Sequence, residues 1–410
     1  MVANKYVITL LGEKDHGKST FIGNLLIATG TVSEHRIKDA EKYAKSGRFE
    51  PAYILDSFPE ERSQEMTIDT TRAEIEQDGN IYEFIDVPGH LELIKNMLSG
   101  ASNGDLAILM VSAKSGEGFQ PQTKRHIFLS NLLGINAMIV AVNKMDLSGY
   151  DKDIFDRICS EVKLYLDAIG FNKPLHFIPI SAYGNENIVS RSDNMPWYNN
   201  KPMFDTIREF ASEYGHGDTP KIKGLRLIVQ DVIEDNGKSI VFGQIYSGTI
   251  LVNANVRIEP TGSMEKVLEL HAKGKATDSA EAGTNVVIKL EGTGFVKRGD
   301  IITDGSGSSM LKIKAKVFLI RQLDVVKPQK LVFKFNNNDL VASAIVPKGS
   351  ISPETGIYGP AGNILYENTS ALVDIHLTKP YLVERFEDLR ELGRFGIFEG
   401  NDLIGIGVVV

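Results

Sequence analysis

Eight residues near the start of the chain have the types and spacing of a loop that wraps a phosphate chain. Residues 12–19 match the pattern G-x-x-x-x-G-K-[ST], between an apolar run at 6–11 and a helical pattern at 18–28. Glycines let backbone N–H groups reach phosphate oxygens, and a helix N-terminus favours an anion. Lys18 would face the β- and γ-phosphates, and Ser19 would offer a hydroxyl to Mg²⁺. The expected nucleotide contacts in this loop are Gly12, Asp15, His16, Gly17, Lys18, Ser19 and Thr20.

A carboxylate after a second apolar run could choose the base. Residues 143–146, Asn-Lys-Met-Asp, follow the apolar run at 137–142. Asp146 could accept hydrogen bonds from N1–H and the exocyclic amine of guanine, whereas adenine presents no such pair of donors. Residues 181–183 end the next apolar run and would supply backbone contacts to the base. The residues expected at the guanine are therefore Asn143, Lys144, Asp146, Ser181, Ala182 and Tyr183.

Two further segments carry groups that could respond to the γ-phosphate. Asp86, at the end of an apolar run, would hold Mg²⁺ through water, and Gly89 would present its N–H to the γ-phosphate. The freedom of Gly89 would let the following segment move when that phosphate leaves. Thr67 could reach Mg²⁺ only in the triphosphate state, or it could be an ordinary strand threonine. The expected metal site is thus Ser19, Thr67 and Asp86.

Alternating apolar and amphipathic stretches must position these groups. Short apolar runs predict buried strands, and helical patterns lie between them. This alternation predicts a mostly parallel sheet with helices on both faces. A polar stretch at 213–220 ends the pattern, so we expect the first domain to cover residues 1–215. The predicted strands are 6–11, 82–85, 106–111, 137–142 and 176–180, and the predicted helices are 18–28, 91–101, 121–133 and 153–169.

The sequence pattern changes after residue 220. Short β-rich runs are separated by Asn-Gly, Ser-Gly and Thr-Gly turns, and helical periodicity is nearly absent. Residues 304–309 are a second candidate linker, after which the β-rich pattern returns. We therefore expect two β-barrel domains, at 222–304 and 310–410.

Composition excludes several classes of protein. The chain has 410 residues and a single cysteine, Cys159, so neither a disulfide framework nor a cysteine zinc cluster is available. The first residues show no basic segment followed by a long apolar run, and no run of 18 apolar residues is present. We therefore expect no secretory signal, a cytoplasmic protein and no membrane partner. The formal charge of −8 argues against nucleic-acid binding over the whole surface but permits a local basic patch.

With these motifs in this order, the chain resembles the translation-factor GTPases over nearly its whole length. Residues 15–20 (DHGKST), 86–90 (DVPGH) and 95–102 (KNMLSGAS) look like that superfamily. The resemblance implies an α/β P-loop GTPase domain followed by two β-barrels, with GTP, GDP and Mg²⁺ as ligands. It also implies GTP hydrolysis, in which His90 orients the attacking water and Lys18 and Thr67 assist.

Two families within the superfamily compete. Residues 41–56, 225–231 and 392–395 look like elongation factor 1 alpha, which carries aminoacyl-tRNA to the ribosome, and His16 favours this family. Residues 128–134, among others, look like the GTPase subunit of bacterial ATP sulfurylase, which couples GTP hydrolysis to adenylyl sulfate synthesis. The first family implies aminoacyl-tRNA and the ribosome as partners, and the second implies a sulfurylase catalytic subunit. A nucleotide-exchange factor is a further expected partner.

Three residues depart from the pattern of the superfamily. Lys14 replaces a small apolar residue, Glu65 replaces glycine, and Met66 replaces isoleucine or valine. In the superfamily the apolar side chains form a gate around the catalytic histidine. We therefore expect a divergent member, with a GTP-sensing module of impaired hydrolysis as a further alternative. Lys14 could face solvent, pair with Glu65, or stabilise charge in the transition state.

Overall fold

The computed structural model describes residues 4–42, 51, 54, 71–86, 106–215, 220–292, 294–327, 330–336 and 338–410. Contacts between Cα atoms divide the chain into two compact units. The first is Met1–Asp218 with Pro353–Ile357, and the second is Thr219–Ser352 with Tyr358–Val410. Domain boundaries at 215, 222, 304 and 310 remain a prediction.

The first unit is built on a six-stranded sheet with the order β2-β3-β1-β4-β5-β6. All neighbours pair in parallel except β2, which forms an antiparallel hairpin with β3 through an Asp-Gly turn. Every residue of β4 and β5 is buried, which requires cover on both faces of the sheet. The bounds are β1 Lys5–Leu11, β2 Thr71–Gln77, β3 Asn80–Asp86, β4 Leu106–Ser112, β5 Ala137–Asn143 and β6 Leu175–Pro179.

Described helices follow β1, β4, β5 and β6 in the chain. The last one continues to Tyr214 because Ile207 and Ala211 repeat its buried face, so the start of the predicted 213–220 linker is helical. The predicted helix at 91–101 lies outside the described residues. Across the described ranges, no helix has the length and apolar character needed to cross a membrane. The described helices are α1 Lys18–Ala28, α2 Glu34–Lys42, α3 Pro121–Leu132, α4 Lys152–Ala168 and α5 Met203–Tyr214, with a 3₁₀ turn at Met145–Ser148.

The second unit opens with an antiparallel barrel. Six strands close in the order β10-β15-β7-β8-β14-β11, because β10 also pairs with β11. Residues along β8 alternate between partly buried and fully buried, as expected for a barrel wall. The bounds are β7 Arg226–Asp235, β8 Lys238–Ser247, β9 Thr249–Leu251, β10 Asn255–Glu259, β11 Ser263–Ala272, β12 Lys275–Ala276, β13 Ser279–Glu281, β14 Asn285–Leu290 and β15 Ile301–Thr303.

A second closed barrel follows, with the order β18-β23-β24-β16-β22-β19 and a closing β18–β19 pair. Aromatic rings fill its interior, among them Phe333, Phe335 and Phe395. The bounds are β16 Met310–Leu319, β17 Leu323–Asp324, β18 Leu331–Phe335, β19 Asn338–Ile351, β20 Tyr358–Gly359, β21 Ile364–Leu365, β22 Ser370–Tyr381, α6 Arg390–Gly393, β23 Arg394–Glu399 and β24 Asp402–Val409.

The two barrels share an apolar cluster. Ile228 and Ile301 of the first barrel pack in the same cluster as the interior of the second. Nε of Arg226 donates a 2.7 Å hydrogen bond to Oε1 of Glu384 beside that cluster. This packing explains why both barrels lie in one compact unit. The predicted fold class, an α/β GTPase-type domain followed by two β-barrels, is confirmed.

Candidate nucleotide-binding site

The loop between β1 and α1 closes against the ends of neighbouring strands. Gly12 has φ +140°, and a Cβ there would lie 2.6 Å from the Met110 carbonyl oxygen. Gly17 has φ +90°, and a Cβ there would overlap the Asn143 side-chain amide. Only glycine combines these backbone angles with such close neighbours. The two glycines therefore bring the loop backbone to the carboxyl edge of the sheet.

Lys18 places a positive charge inside this loop. Its Nζ donates to the carbonyl oxygens of Gly12 at 3.1 Å and Glu13 at 3.0 Å. The same atom lies 4.0 Å from Oδ1 of Asp86. Helix α1 begins at Lys18, so the unpaired N–H groups of its first turn add a partial positive charge. The loop therefore has the electrostatics of an anion site.

Asp86 and Ser19 place oxygen donors next to that lysine. Ser19 Oγ donates to Oδ2 of Asp86 at 3.5 Å. Oδ1 of Asp86 is buried and has no hydrogen-bond partner among the described residues. Burial raises the pKa of the Asp86 carboxyl, against the opposing effect of Lys18 and Ser19. A buried, unsatisfied carboxylate oxygen is costly, and a hard cation or its water would satisfy it. This donor set suits Mg²⁺.

Asn143, the last residue of β5, ties two loops together. Its Nδ2 donates to the His16 carbonyl oxygen at 2.8 Å, and its Oδ1 accepts from the Ala182 N–H at 2.8 Å. Because the side chain is almost fully buried, both hydrogen bonds are shielded from water. Asn143 thus fixes the distance between the phosphate loop and residues 181–183.

Asp146 and Ser181 lie together where the sequence analysis expects the guanine base. Ser181 Oγ donates to Oδ1 of Asp146 at 2.6 Å and accepts from the Gly184 N–H at 3.1 Å. A carboxylate can accept about four hydrogen bonds, so Asp146 retains capacity for the two donors of guanine. Tyr183 is exposed, and it follows the Ala182 peptide that Asn143 anchors.

The His16 side chain supports the loop from inside. It is buried, and its Nδ1 donates to the Met110 carbonyl oxygen at 3.2 Å. Burial lowers the pKa of His16, so the ring is neutral at pH 7. Because the ring is directed at Met110, any contact of His16 with a nucleotide would come from its main chain.

Two polar residues that the sequence analysis did not single out belong to this site. Nδ2 of Asn24, on α1, donates to the Ala182 carbonyl oxygen. Glu117, in the loop after β4, accepts from Lys144 Nζ at 2.6 Å. Helical spacing places Asn24 one turn beyond Thr20, which could have suggested it. No pattern in the sequence marks Glu117.

The described candidates gather at one edge of the sheet, while others cannot be placed. Asp86 and Asn143 end β3 and β5, and the phosphate loop follows β1. Lys14 is exposed on that loop. Thr67, Gly89 and His90, as well as the departures Glu65 and Met66, lie outside the described residues.

Comparisons with known proteins cover the whole chain. A family model described as the elongation factor Tu GTP binding domain matches residues 4–213, and one described as GTP-eEF1A C-terminal domain-like matches residues 312–410. Among solved structures, the chain is similar to sup35 complexed with GDP, at 20% identity and a TM-score of 0.44, over 100% of this chain and 94% of that one.

Curated relatives agree in name. Elongation factor 1-alpha of Methanothermobacter thermautotrophicus is 31% identical over 412 residues, which span 98% of this chain and 96% of that protein. Elongation factor 1-alpha of Aeropyrum pernix is 33% identical over 420 residues, which span 98% of this chain and 95% of that protein. The chain therefore belongs to the elongation factor 1-alpha family of translation GTPases.

Proposed function

We propose that the chain binds GTP and GDP with Mg²⁺, hydrolyses GTP, and delivers aminoacyl-tRNA to the ribosome in the cytoplasm. One observation carries the nucleotide part of this proposal. Lys18, Ser19 and Asp86 lie together at the carboxyl edge of the sheet. Asn143 links the phosphate loop to residues 181–183, of which Ser181 contacts Asp146. The names of the relatives support the choice of partners.

At the phosphate end, the chain supplies charge and oriented donors. When a nucleotide binds, Nζ of Lys18 leaves the carbonyl oxygens of Gly12 and Glu13 and donates instead to the β- and γ-phosphate oxygens. Ser19 would hold Mg²⁺ directly and Asp86 would hold it through water, and the ion would neutralise charge on the phosphates. The N–H groups of the loop complete the anion site.

At the base end, Asp146 selects guanine. Ser181 holds the carboxylate from one side, and N1–H and the exocyclic amine of guanine donate to the remaining lone pairs. Adenine would leave this charge unpaired, and an unpaired charged acceptor costs far more than a lost neutral contact. GTP and GDP are therefore bound in preference to ATP and ADP.

Hydrolysis is an in-line attack of water on the γ-phosphorus, which breaks the bond to the oxygen that bridges to the β-phosphate and releases GDP and phosphate. Positioning and charge promote this step. Lys18 stabilises charge on the transferring group. The resemblance assigns His90 to orient the water, and the Thr67 hydroxyl would reach Mg²⁺ only in the triphosphate state. Turnover without a partner is on the order of 10⁻⁴ to 10⁻² per second, as in unassisted GTPases.

The proposal is tested by GTP-dependent binding of aminoacyl-tRNA to the full chain. We expect that the GTP form protects the aminoacyl ester from hydrolysis and that the GDP form does not. A single-turnover assay with γ-labelled GTP separates an active GTPase from a sensing module. Copurification of a subunit with sulfate-dependent ATP turnover, without tRNA protection, would contradict the tRNA proposal and favour the sulfurylase alternative.

A further inference from the structure

Glu117 is held at the nucleotide edge of the sheet by the loop that follows β4. Ser112, the last residue of β4, forms an antiparallel bridge with Gly118, and the Ala113 N–H donates to the Asn143 carbonyl oxygen at 2.7 Å. The Glu117 N–H donates to the Lys114 carbonyl oxygen at 3.1 Å. These contacts fix the backbone of Glu117 beside the end of β5.

The carboxylate of Glu117 bridges two lysines. Oε2 lies 2.6 Å from Nζ of Lys144, and Oε1 lies 2.8 Å from Nζ of Lys114. Burial alone would raise the pKa of Glu117, but hydrogen bonds from both lysines lower it to about 2. Glu117 is therefore a carboxylate at any pH near neutrality.

Lys144 lies between this carboxylate and the base end of the site. Its backbone is left-handed, at φ 63°, between Asn143 and the 3₁₀ turn that contains Asp146. The side chains of Lys144 and Glu117 are 20% and 26% exposed, whereas those of the surface pair Lys163 and Asp167 are 54% and 55% exposed. The Lys144–Glu117 pair is thus partly buried, and partly buried ion pairs are screened less by salt.

We propose that Glu117 is a positioning residue for guanine-nucleotide binding. It acts by holding the Lys144 ammonium, which fixes the Lys144 side chain next to the 3₁₀ turn that contains Asp146. The inference rests on the proposed function and names a further residue of the same site. An unanchored lysine must lose its rotamer freedom on binding, whereas an anchored one has lost it already.

The test is a double-mutant cycle in the full chain, read as the GDP dissociation constant. Glu117→Gln is combined with Lys144→Met, which keeps an apolar stem and removes the ammonium. We expect Glu117→Gln alone to weaken GDP binding roughly 3- to 10-fold, the range of a partly buried ion pair. In the Lys144→Met background, Glu117→Gln should have almost no effect on GDP binding, because residue 144 then has no ammonium for Glu117 to hold.

Two further variants serve as controls. One tests whether the carboxylate at residue 117 is what matters, and the other tests whether loss of an exposed ion pair elsewhere also weakens binding. Glu117→Asp keeps the carboxylate, and we expect it to restore most of the affinity lost in Glu117→Gln. Asp167→Asn removes a carboxylate from an exposed pair with Lys163 and should leave GDP affinity unchanged. Thermal unfolding of the nucleotide-free variants checks that the changes in affinity are not losses of fold.

The outcomes are distinct. Non-additive effects with rescue by aspartate support the inference. Additive effects of Glu117→Gln and Lys144→Met, or equal GDP affinity in Glu117→Gln and the unmodified chain, overturn it and leave the proposed function standing. If the unmodified chain binds no GDP, the proposed function and this inference both fail.

Discussion

Ser181 and Asp146 face each other across two loops, and the serine hydroxyl donates a 2.6 Å hydrogen bond to Oδ1 of the aspartate. The two residues are 35 positions apart, and each follows a different strand, β6 and β5. Ser181 Oγ is itself held by the Gly184 N–H. The protein therefore already orients the Asp146 carboxylate. This lowers the conformational entropy that the side chain must lose when a base binds.

The first prediction concerns the choice of base. Asp146→Asn replaces an acceptor of two hydrogen bonds by an amide that can also donate. We expect weaker GTP binding and improved binding of xanthosine triphosphate, which carries an oxygen at the 2-position. Competition against labelled GDP measures both. Ser181→Ala, which keeps the charge, should weaken GTP without improving xanthosine triphosphate, and equal behaviour of the two variants would contradict the assignment.

The second prediction concerns Lys14. The side chain is exposed, so we expect Lys14→Val to leave GTP affinity and single-turnover hydrolysis within about two-fold of the unmodified chain, as for other surface substitutions. A loss of about ten-fold or more in hydrolysis at constant affinity would instead assign the ammonium to the transition state. Non-additivity with Glu65→Gly would indicate that the two residues pair.

The third prediction concerns the switch segments. If Thr67 and Gly89 contact Mg²⁺ and the γ-phosphate, loss of that phosphate releases both. Hydrogen exchange across residues 50–100 should then be slower with a non-hydrolysable GTP analogue than with GDP. Identical exchange in the two forms would exclude a nucleotide-dependent switch.

The fourth prediction concerns pH and the barrels. Burial raises the pKa of Asp300 to about 6, despite the hydrogen bond from the Lys297 N–H at 2.8 Å. Between the ordinary aspartate pKa and about 6, the folded chain binds a proton that the unfolded chain does not. The contribution of Asp300 to stability is therefore present at low pH and lost as the pH rises through about 6.

Asp300→Asn removes this titration. In urea unfolding, we expect the variant to gain stability relative to the unmodified chain as the pH rises from about 4.5 to about 7, since only the unmodified chain must then bury a charge. A constant difference in unfolding free energy across this range would show that Asp300 does not titrate there.

The elements with strong periodicity could be predicted from the sequence. Helix α1 has the predicted bounds, because the phosphate-loop pattern fixes its start and its apolar face fixes its length. Strands β4 and β5 were predicted from continuous apolar runs. Strand β2 was missed because it lies at the edge of the sheet, where Ala73 and Ile75 alternate with polar residues over a short span.

The site was predictable only where a motif exists. Asp86 and Asn143 end parallel strands at the same edge of the sheet, and Asp146 follows the second of these strands, so parallel topology alone brings them together. Glu117 was not predictable, since its contact with Lys144 depends on how the loop after β4 folds back onto the end of β5. The orientation of the His16 ring depended likewise on the position of Met110.

Guanine-nucleotide recognition is tested most directly by equilibrium competition for labelled GDP bound to the full chain with Mg²⁺. We expect unlabelled GDP and GTP to displace the label, and ATP and ADP to leave it bound at about 100-fold higher concentration, because base discrimination through a paired carboxylate exceeds this factor. Displacement by ATP at the same concentration as GTP would contradict the account.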